Sequence, residues 1–285
     1  MSVAPGRFPL PACGAAAAPA EPPLLTPARP LALALQGGGA HGAFTWGVLD
    51  RLLEAPGCRI AGISGTSAGA LNAAVLAAGY LEGGPAAARE RLASLWGRLA
   101  GLARFSPLQQ TPLETLLLGR ASEWSFSHTV FEAAQRLLSP YQLNPLGLNP
   151  LRDILVELID FEALRTSSAI RLIIAATNVE TGEARLFTNE ELSPEVLLAS
   201  ACLPTLYPAV KLDGAYYWDG GFAANPPILP LVEACPVEDI VLVRLSPRFE
   251  KGVPTSARGI QSRLSRIAFD SPLKSELAAL AWLRR

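Results

Sequence analysis

Arg59-Ile60-Ala61-Gly62-Ile63-Ser64-Gly65-Thr66-Ser67-Ala68-Gly69-Ala70 runs from a short apolar strand, through a Gly-x-Ser-x-Gly turn, into an alanine-rich stretch that reads as a buried helix to Ala78. The strand-to-helix turn is the setting in which this motif carries chemistry. Gly65 and Gly69 remove bulk on either side of a sharp bend and leave the Ser67 hydroxyl exposed at a helix N-terminus. Ser67 is therefore the candidate nucleophile.

Working outward, Leu31-Ala32-Leu33-Ala34-Leu35 reads as a strand, Gly37 to Gly39 as a tight loop, and Ala43 to Glu54 as a helix. Phe44, Val48, Leu49, Leu52 and Leu53 supply that helix with an apolar stripe. Strand, loop, helix, strand, elbow, helix spells a right-handed βαβ unit on a parallel sheet, which places the chain in the α/β class. Farther on, a helix at Leu151 to Ile159 precedes a strand at Arg171 to Thr177, a turn at Glu180 to Glu183 and a return strand at Ala184 to Phe187. Another helix is expected at Pro194 to Ala201. Asp213-Gly214 between two strand-like runs signals a hairpin. Ile240 to Leu245 is an apolar run suited to a central, buried strand.

Three flanking segments depart from this pattern. Residues 1–30 are rich in proline and alanine, lack periodicity and are expected to form a disordered tail. Pro9 and Pro11 interrupt any apolar signal core there, which argues against export. Residues 85–150, inside a catalytic domain spanning 31–250, read as an inserted helical and loop segment that carries Trp124, Phe126, Phe131 and Tyr141. Such an insertion either covers an acyl-chain pocket or closes one side of the core. Residues 251–285 hold seven basic and two acidic residues, with Ile260, Leu264, Ile267 and Ala268 at helical spacing. That amphipathic helix either packs on its own domain or lies against a membrane surface.

Composition narrows the function. The net charge is −1 and the pI about 6.2, so no basic field recruits nucleic acid. Four scattered cysteines and two histidines form neither a disulfide framework nor a metal site, and fit a cytoplasmic protein without metal or other cofactor. Uninterrupted apolar stretches fall short of the roughly 18 residues that would span a bilayer.

A serine hydroxyl needs a base to take its proton and donors to hold the resulting oxyanion. In an α/β-hydrolase the base is a histidine late in the chain, but here His41 precedes Ser67, His128 lies in the inserted segment and none follows. A carboxylate is left. Asp213 is explained by its hairpin turn, whereas Asp219 ends a strand and is followed by Gly220-Gly221, which let the backbone turn close to another element. Asp219 is the candidate proton acceptor. Gly37-Gly38-Gly39-Ala40-His41-Gly42 presents backbone N–H groups before a helix and is the candidate oxyanion loop. The same loop matches the dinucleotide fingerprint Gly-x-Gly-x-x-Gly, but the acidic residue expected about 20 positions on is missing where the second strand ends at Ile63-Ser64-Gly65. A nucleotide-binding module and a catalytically silent membrane-associated scaffold stand as rival readings.

Taken in order, Gly37-Gly38-Gly39-Ala40-His41-Gly42, Gly65-Thr66-Ser67-Ala68-Gly69 and Asp219-Gly220-Gly221 resemble the three signature blocks of patatin-like phospholipases, across roughly Leu31 to Leu245. Asn225-Pro226 is also similar to bacterial members. The resemblance implies a three-layer α/β/α fold, mostly parallel in its sheet, and a Ser-Asp dyad that hydrolyses acyl esters of lipids or phospholipids without metal. It assigns Ser67 as nucleophile, Asp219 as base, and Gly37, Gly38 and Gly39 as the oxyanion loop, with Gly42, Gly65, Gly69, Gly220 and Gly221 as motif glycines. One departure is His41, where the family often carries arginine or lysine. A histidine is at most partly charged near neutral pH, so the resemblance implies acyl-ester hydrolysis more firmly than a phospholipid substrate.

Overall fold

A computed structural model describes residues 29–104 and 138–283. Its seven strands are β1 (Pro30–Leu35), β2 (Arg59–Thr66), β3 (Arg171–Asn178), β4 (Ala184–Phe187), β5 (Val210–Leu212), β6 (Ala215–Asp219) and β7 (Asp239–Val243). They form one sheet in the order β5-β6-β3-β2-β1-β7, with β4 also paired to β3. The β7-β1-β2-β3 pairings are parallel, and those of β3 with β4 and β6, and of β5 with β6, are antiparallel.

The register at β3 positions the site. Ala175 pairs with Thr66 of β2 and with Leu186 of β4, and the next residue, Ala176, pairs with Asp219 of β6 and with Arg185 of β4. With β4 along one edge, β2 and β6 must share the other. β2 runs out where β6 begins, so the last residues of the two strands, Thr66 and Asp219, meet on consecutive rungs of β3. Ser67 follows Thr66 directly and so arrives beside Asp219.

Helices cover both faces. They are α1 (Gly42–Leu53), α2 (Ala68–Arg104), α3 (Pro140–Leu143), α4 (Leu151–Leu158), α5 (Phe161–Thr166), α6 (Pro194–Ser200), α7 (Ile228–Ala234) and α8 (Ala257–Leu283). Strand periodicity sorts the core into two layers. Leu31, Leu33 and Leu35 of β1 join Leu49 of α1, Val75 and Leu76 of α2, and Leu155 of α4 in the larger cluster. The alternate residues Ala32 and Ala34 face the opposite way, onto Ile228 and Leu231 of α7 and Leu273 of α8. The result is a three-layer α/β/α arrangement around a mixed, mostly parallel sheet.

Several local expectations are refined. The apolar stripe of α1 is carried by Thr45, Leu49, Leu52 and Leu53, while Phe44 is 62% exposed. The helix read as far as Ala78 continues into the start of the 85–150 segment as one helical run, kinked at Gly83 and Gly84 ahead of Pro85. Beyond the kink, Ala88, Leu92 and Leu95 are fully buried in the main core, so the start of the 85–150 segment builds the domain rather than capping it. His128, Trp124, Phe126 and Phe131 lie outside the described residues. β7 pairs with β1 alone, which makes it an edge strand among the described residues rather than a central one. Its apolar run is explained by Ile240 and Leu242 packing under α7 and α8. Asp213 and Gly214 both adopt positive φ, 48° and 88°, as a tight two-residue hairpin requires.

At the C-terminal helix, Leu273 is fully buried, whereas Ile260, Leu264 and Ile267 are exposed by 44%, 56% and 54%. The second half of α8 packs on the domain; the first half leaves its apolar stripe in the open. Glu276 on α8 accepts hydrogen bonds from the amides of Ile228 and Leu229, capping the start of α7 and joining the two helices. Among the described residues, no helix is long and apolar enough to cross a membrane.

Candidate active site

Ser67 lies between β2 and α2 with φ at 55°, in the left-handed region where a side chain is strained. Its neighbours explain how the strain is held. A Cβ on Gly69 would fall 2.1 Å from the Leu35 carbonyl oxygen, and one on Gly65 would fall 2.6 Å from that of Gly69. Only glycine admits that approach of the elbow to the end of β1. The Ser67 amide donates to Ser200 Oγ at 2.9 Å, and the Leu71 amide donates back to the Ser67 carbonyl, so the serine is pinned as the first residue ahead of α2.

Ser67 Oγ donates to Asp219 Oδ2 at 2.6 Å, a short bond of the kind a charged acceptor makes. The other carboxylate oxygen, Oδ1, accepts from the Gly221 amide at 2.8 Å. Backbone contacts lock the aspartate itself: its amide donates to the Cys202 carbonyl at 2.8 Å, and its carbonyl accepts from Thr177 Oγ1 at 2.8 Å. Gly220 is needed for the turn, since a Cβ there would sit 2.2 Å from the Ala175 carbonyl oxygen. Asp219 is fully buried, and that burial pushes its carboxyl up to about 6, against the opposing pull of the Ser67 and Gly221 hydrogen bonds. A carboxylate so placed is a stronger base than an exposed aspartate while still ionised at neutral pH.

The glycine loop reaches the same spot from the end of β1. A Cβ on Gly37 would lie 2.8 Å from Ser67 Cβ. The Gly37 amide, however, donates to Asn225 Oδ1 at 2.7 Å, which removes it from the free donors expected of this loop. The Gly38 carbonyl accepts the His41 amide at 3.2 Å, and Gly39 takes φ of 57°. The amides of Gly38 and Gly39 have no acceptor among the described residues. His41 Nδ1 also lies 3.2 Å from the Gly38 carbonyl, so the ring folds back on its own loop.

These groups line a cleft of about 470 Å³ at the carboxyl ends of the parallel strands, where open α/β sheets place their ligands. Its floor holds Ser67, Asp219 and the three glycines, and its far wall holds Leu245 to Pro247 after β7 and Ser265, Arg266 and Phe269 of α8. Asp213 lies away from it, in its hairpin.

Four residues to which sequence reading gave no role in the site support this arrangement. Ser200 braces Ser67 through its backbone amide. Asn225 links the Gly37 amide to α8 by donating from Nδ2 to the Phe269 carbonyl at 3.0 Å. Gln36 accepts the Leu245 and Ser246 amides at 2.7 and 2.9 Å, fixing the loop after β7. Asn72 donates to the carbonyls of Gly42 and Ala68 and accepts from Trp96 Nε1, tying α1 to both halves of α2. Only Asn225 carried a sequence signal, its place after the Asp219-Gly220-Gly221 block; the others are ordinary polar residues in apolar runs.

The solved structure of VipD from Legionella pneumophila is similar, with 18% identity and a TM-score of 0.39, over 69% of this chain and 46% of that chain. A chain of the heterodimeric ExoU–SpcU complex of the type III secretion system of Pseudomonas aeruginosa is similar at 23% identity and a TM-score of 0.27, over 62% of this chain and 36% of that one. This chain thus spans less than half the length of either. No curated protein matches it. The model of the patatin-like phospholipase family matches residues 33–232, which contain both ends of the Ser67–Asp219 pair and the glycine loop, and the chain belongs to that family.

Proposed function

We propose that the protein is a serine lipid acyl hydrolase that works through a Ser67–Asp219 dyad. The observation that carries this reading is the 2.6 Å hydrogen bond from Ser67 Oγ to a buried carboxylate, made by a serine held at a strained elbow. Asp219 accepts the hydroxyl proton as Ser67 Oγ attacks the ester carbonyl, forming a tetrahedral intermediate. Its negative oxygen is received by the amides of Gly38 and Gly39, with the positive end of α2 close by. Asp219 returns the proton to the departing alcohol, leaving an acyl-serine. Water then donates a proton to Asp219 as it attacks the acyl carbon, and when the second tetrahedral intermediate collapses to release the fatty acid, Asp219 returns that proton to Ser67 Oγ.

Membership of the family supports a lipid ester as substrate, and the apolar Leu203, Leu245 and Phe269 on the cleft walls suit an acyl chain. The exposed stripe on the first half of α8 is compatible with contact at a membrane surface. The test is covalent labelling: a fluorophosphonate should modify Ser67 in the wild type, with parallel hydrolysis of a short-chain nitrophenyl ester. Labelling that survives Ser67→Ala would remove the assignment.

A further inference from the structure

Beside the catalytic cleft lies a second hollow of about 210 Å³, and the two share Pro247 and Arg266 in their walls. The second is lined by Arg248, Arg263, Arg266 and Lys274, together with Glu250 and Asp270. The two carboxylates do not neutralise it. Glu250 is paired with both Arg263 and Arg266, and Asp270 with both Arg244 and Lys274. Each acid therefore leaves one positive charge unbalanced. Arg248 adds another, having no hydrogen bond or ion pair among the described residues; Arg244 stands outside the lining, so the hollow itself sets four cations against two carboxylates, an excess of two.

This excess is local, since the whole chain has a net charge of −1. It is also built to persist. Asp270 is 3% exposed, accepts Arg244 at 2.8 and 2.9 Å and Lys274 at 2.9 Å, and so anchors α8 to the residues after β7. Arg266 stands on the ridge between the hollows with its side chain 37% exposed. Guanidinium groups recognise phosphate oxygens through paired N–H donors. The buried carboxylate of Asp219 repels an anion at the floor of the cleft, which assigns the ester to the first hollow and the anion to the second.

We propose that this second hollow is a headgroup subsite, in which Arg248 and Arg266 hold the phosphate of a glycerophospholipid while its acyl ester lies over Ser67. The assignment rests on the hydrolase reading and names the substrate class within it. The fixed charges of Arg266 and Arg248 stand across the cleft from the glycine loop, on α8 and the loop before it.

The experiment compares kcat/KM for dihexanoyl phosphatidylglycerol with that for dihexanoylglycerol, which presents the same esters without phosphate. Arg248→Gln and Arg266→Gln should each lower the ratio by about tenfold or more, mainly through KM of the phospholipid, as expected for loss of a charged hydrogen bond. Arg266→Lys should recover part of it, and raised salt should lower the wild-type ratio. Arg59→Gln, at the opposite end of the sheet, should leave the ratio unchanged. An unchanged ratio in both arginine variants would overturn the subsite.

Binding to Ser67→Ala, measured by calorimetry, keeps the two proposals separable. Phosphatidylglycerol should bind more tightly than inorganic phosphate, and Arg248→Gln should weaken it in this background. Equal affinity for the lipid and for free phosphate would overturn the lipid assignment. If neither lipid is hydrolysed by wild type, the hydrolase reading fails and the binding result alone decides the subsite.

Discussion

Replacing Asp219 by asparagine is expected to abolish the proposed hydrolysis and make the protein more stable. The carboxyl rises from an ordinary value of 3.8 to about 6 in the folded chain, chiefly through burial. A tenfold change in a proton-binding constant is worth about 1.4 kcal/mol, so the ionised form is held in the fold at a penalty of about 3 kcal/mol. The sign follows from proton binding. Between the unfolded value of 3.8 and the folded value near 6, the native state binds more protons than the unfolded state. Wild-type stability from this group therefore falls as pH rises through that window, and the penalty is complete above it.

Asparagine removes the charge without emptying the site. Its Oδ1 can accept from the Gly221 amide as Asp219 Oδ1 does at 2.8 Å, and its Nδ2 can donate to Ser67 Oγ, now the acceptor. Asp219→Asn should therefore unfold at higher temperature than wild type at pH 7, by about 2–4 °C for each kcal/mol recovered. The gap should close as pH falls from 6 towards 4, where wild-type Asp219 is protonated. Thermal unfolding of both proteins across pH 4–8 reads this directly, and hydrolysis should drop by about 10²–10⁴ in the variant for want of a base. A variant less stable than wild type at pH 7, with a gap that does not move with pH, would refute the reasoning.

Three other perturbations test separate links. With the ionised aspartate as base of the proposed dyad, kcat/KM should fall about tenfold per pH unit below the Asp219 value of about 6 and stay level above it to neutrality; a profile flat to pH 5 would contradict this. Ser67→Gly relieves a residue at φ of 55° but removes a hydrogen bond to the buried Asp219 carboxylate, so activity should be lost and denaturant unfolding should show a gain of about 1 kcal/mol near pH 4.5, where Asp219 is protonated, that shrinks at pH 7. Asn225→Ala strands the buried Gly37 amide and frees the loop from α8, which should lower stability by about 1–3 kcal/mol and reduce kcat more than it raises KM; an unaltered kcat would mean the loop needs no such anchor.

The parts of this molecule that could be read from sequence are those where one residue type answers one steric demand. Gly65 and Gly69 mark the elbow because the ends of β1 and α2 approach too closely for a Cβ, and Gly220 marks the turn after Asp219 because β3 crosses it within 2.2 Å of where a Cβ would be. Such positions carry their own signature. Residues that act through a partner distant in sequence carry none. The Ser200 hydroxyl and the Gln36 amide group are defined by contacts across 133 and 209 positions, and nothing local distinguishes them from surface polar residues. β7 misled for a related reason: an edge strand roofed by two helices is as apolar as a central one. Phe44 illustrates the converse, since helical periodicity placed it in the stripe whose buried position belongs to Thr45.

The Asn225 contact changes what the glycine loop means. Three consecutive glycines invite the reading that three amides face the substrate, yet the first is satisfied from the side by Asn225 at 2.7 Å. Asn225 then hands the connection to the Phe269 carbonyl on α8, next to Asp270, which holds Arg244 and lies near the Gln36 amide. The glycine loop and the C-terminal helix are thus joined through the Asn225 side chain, beside Ser67. Because α8 also carries Arg266, a group that engages the cationic hollow pulls on the same helix that fixes the amides beside Ser67. Headgroup binding and the geometry at the ester share one mechanical element, so loosening Asn225 should weaken discrimination for the phosphate as well as the rate.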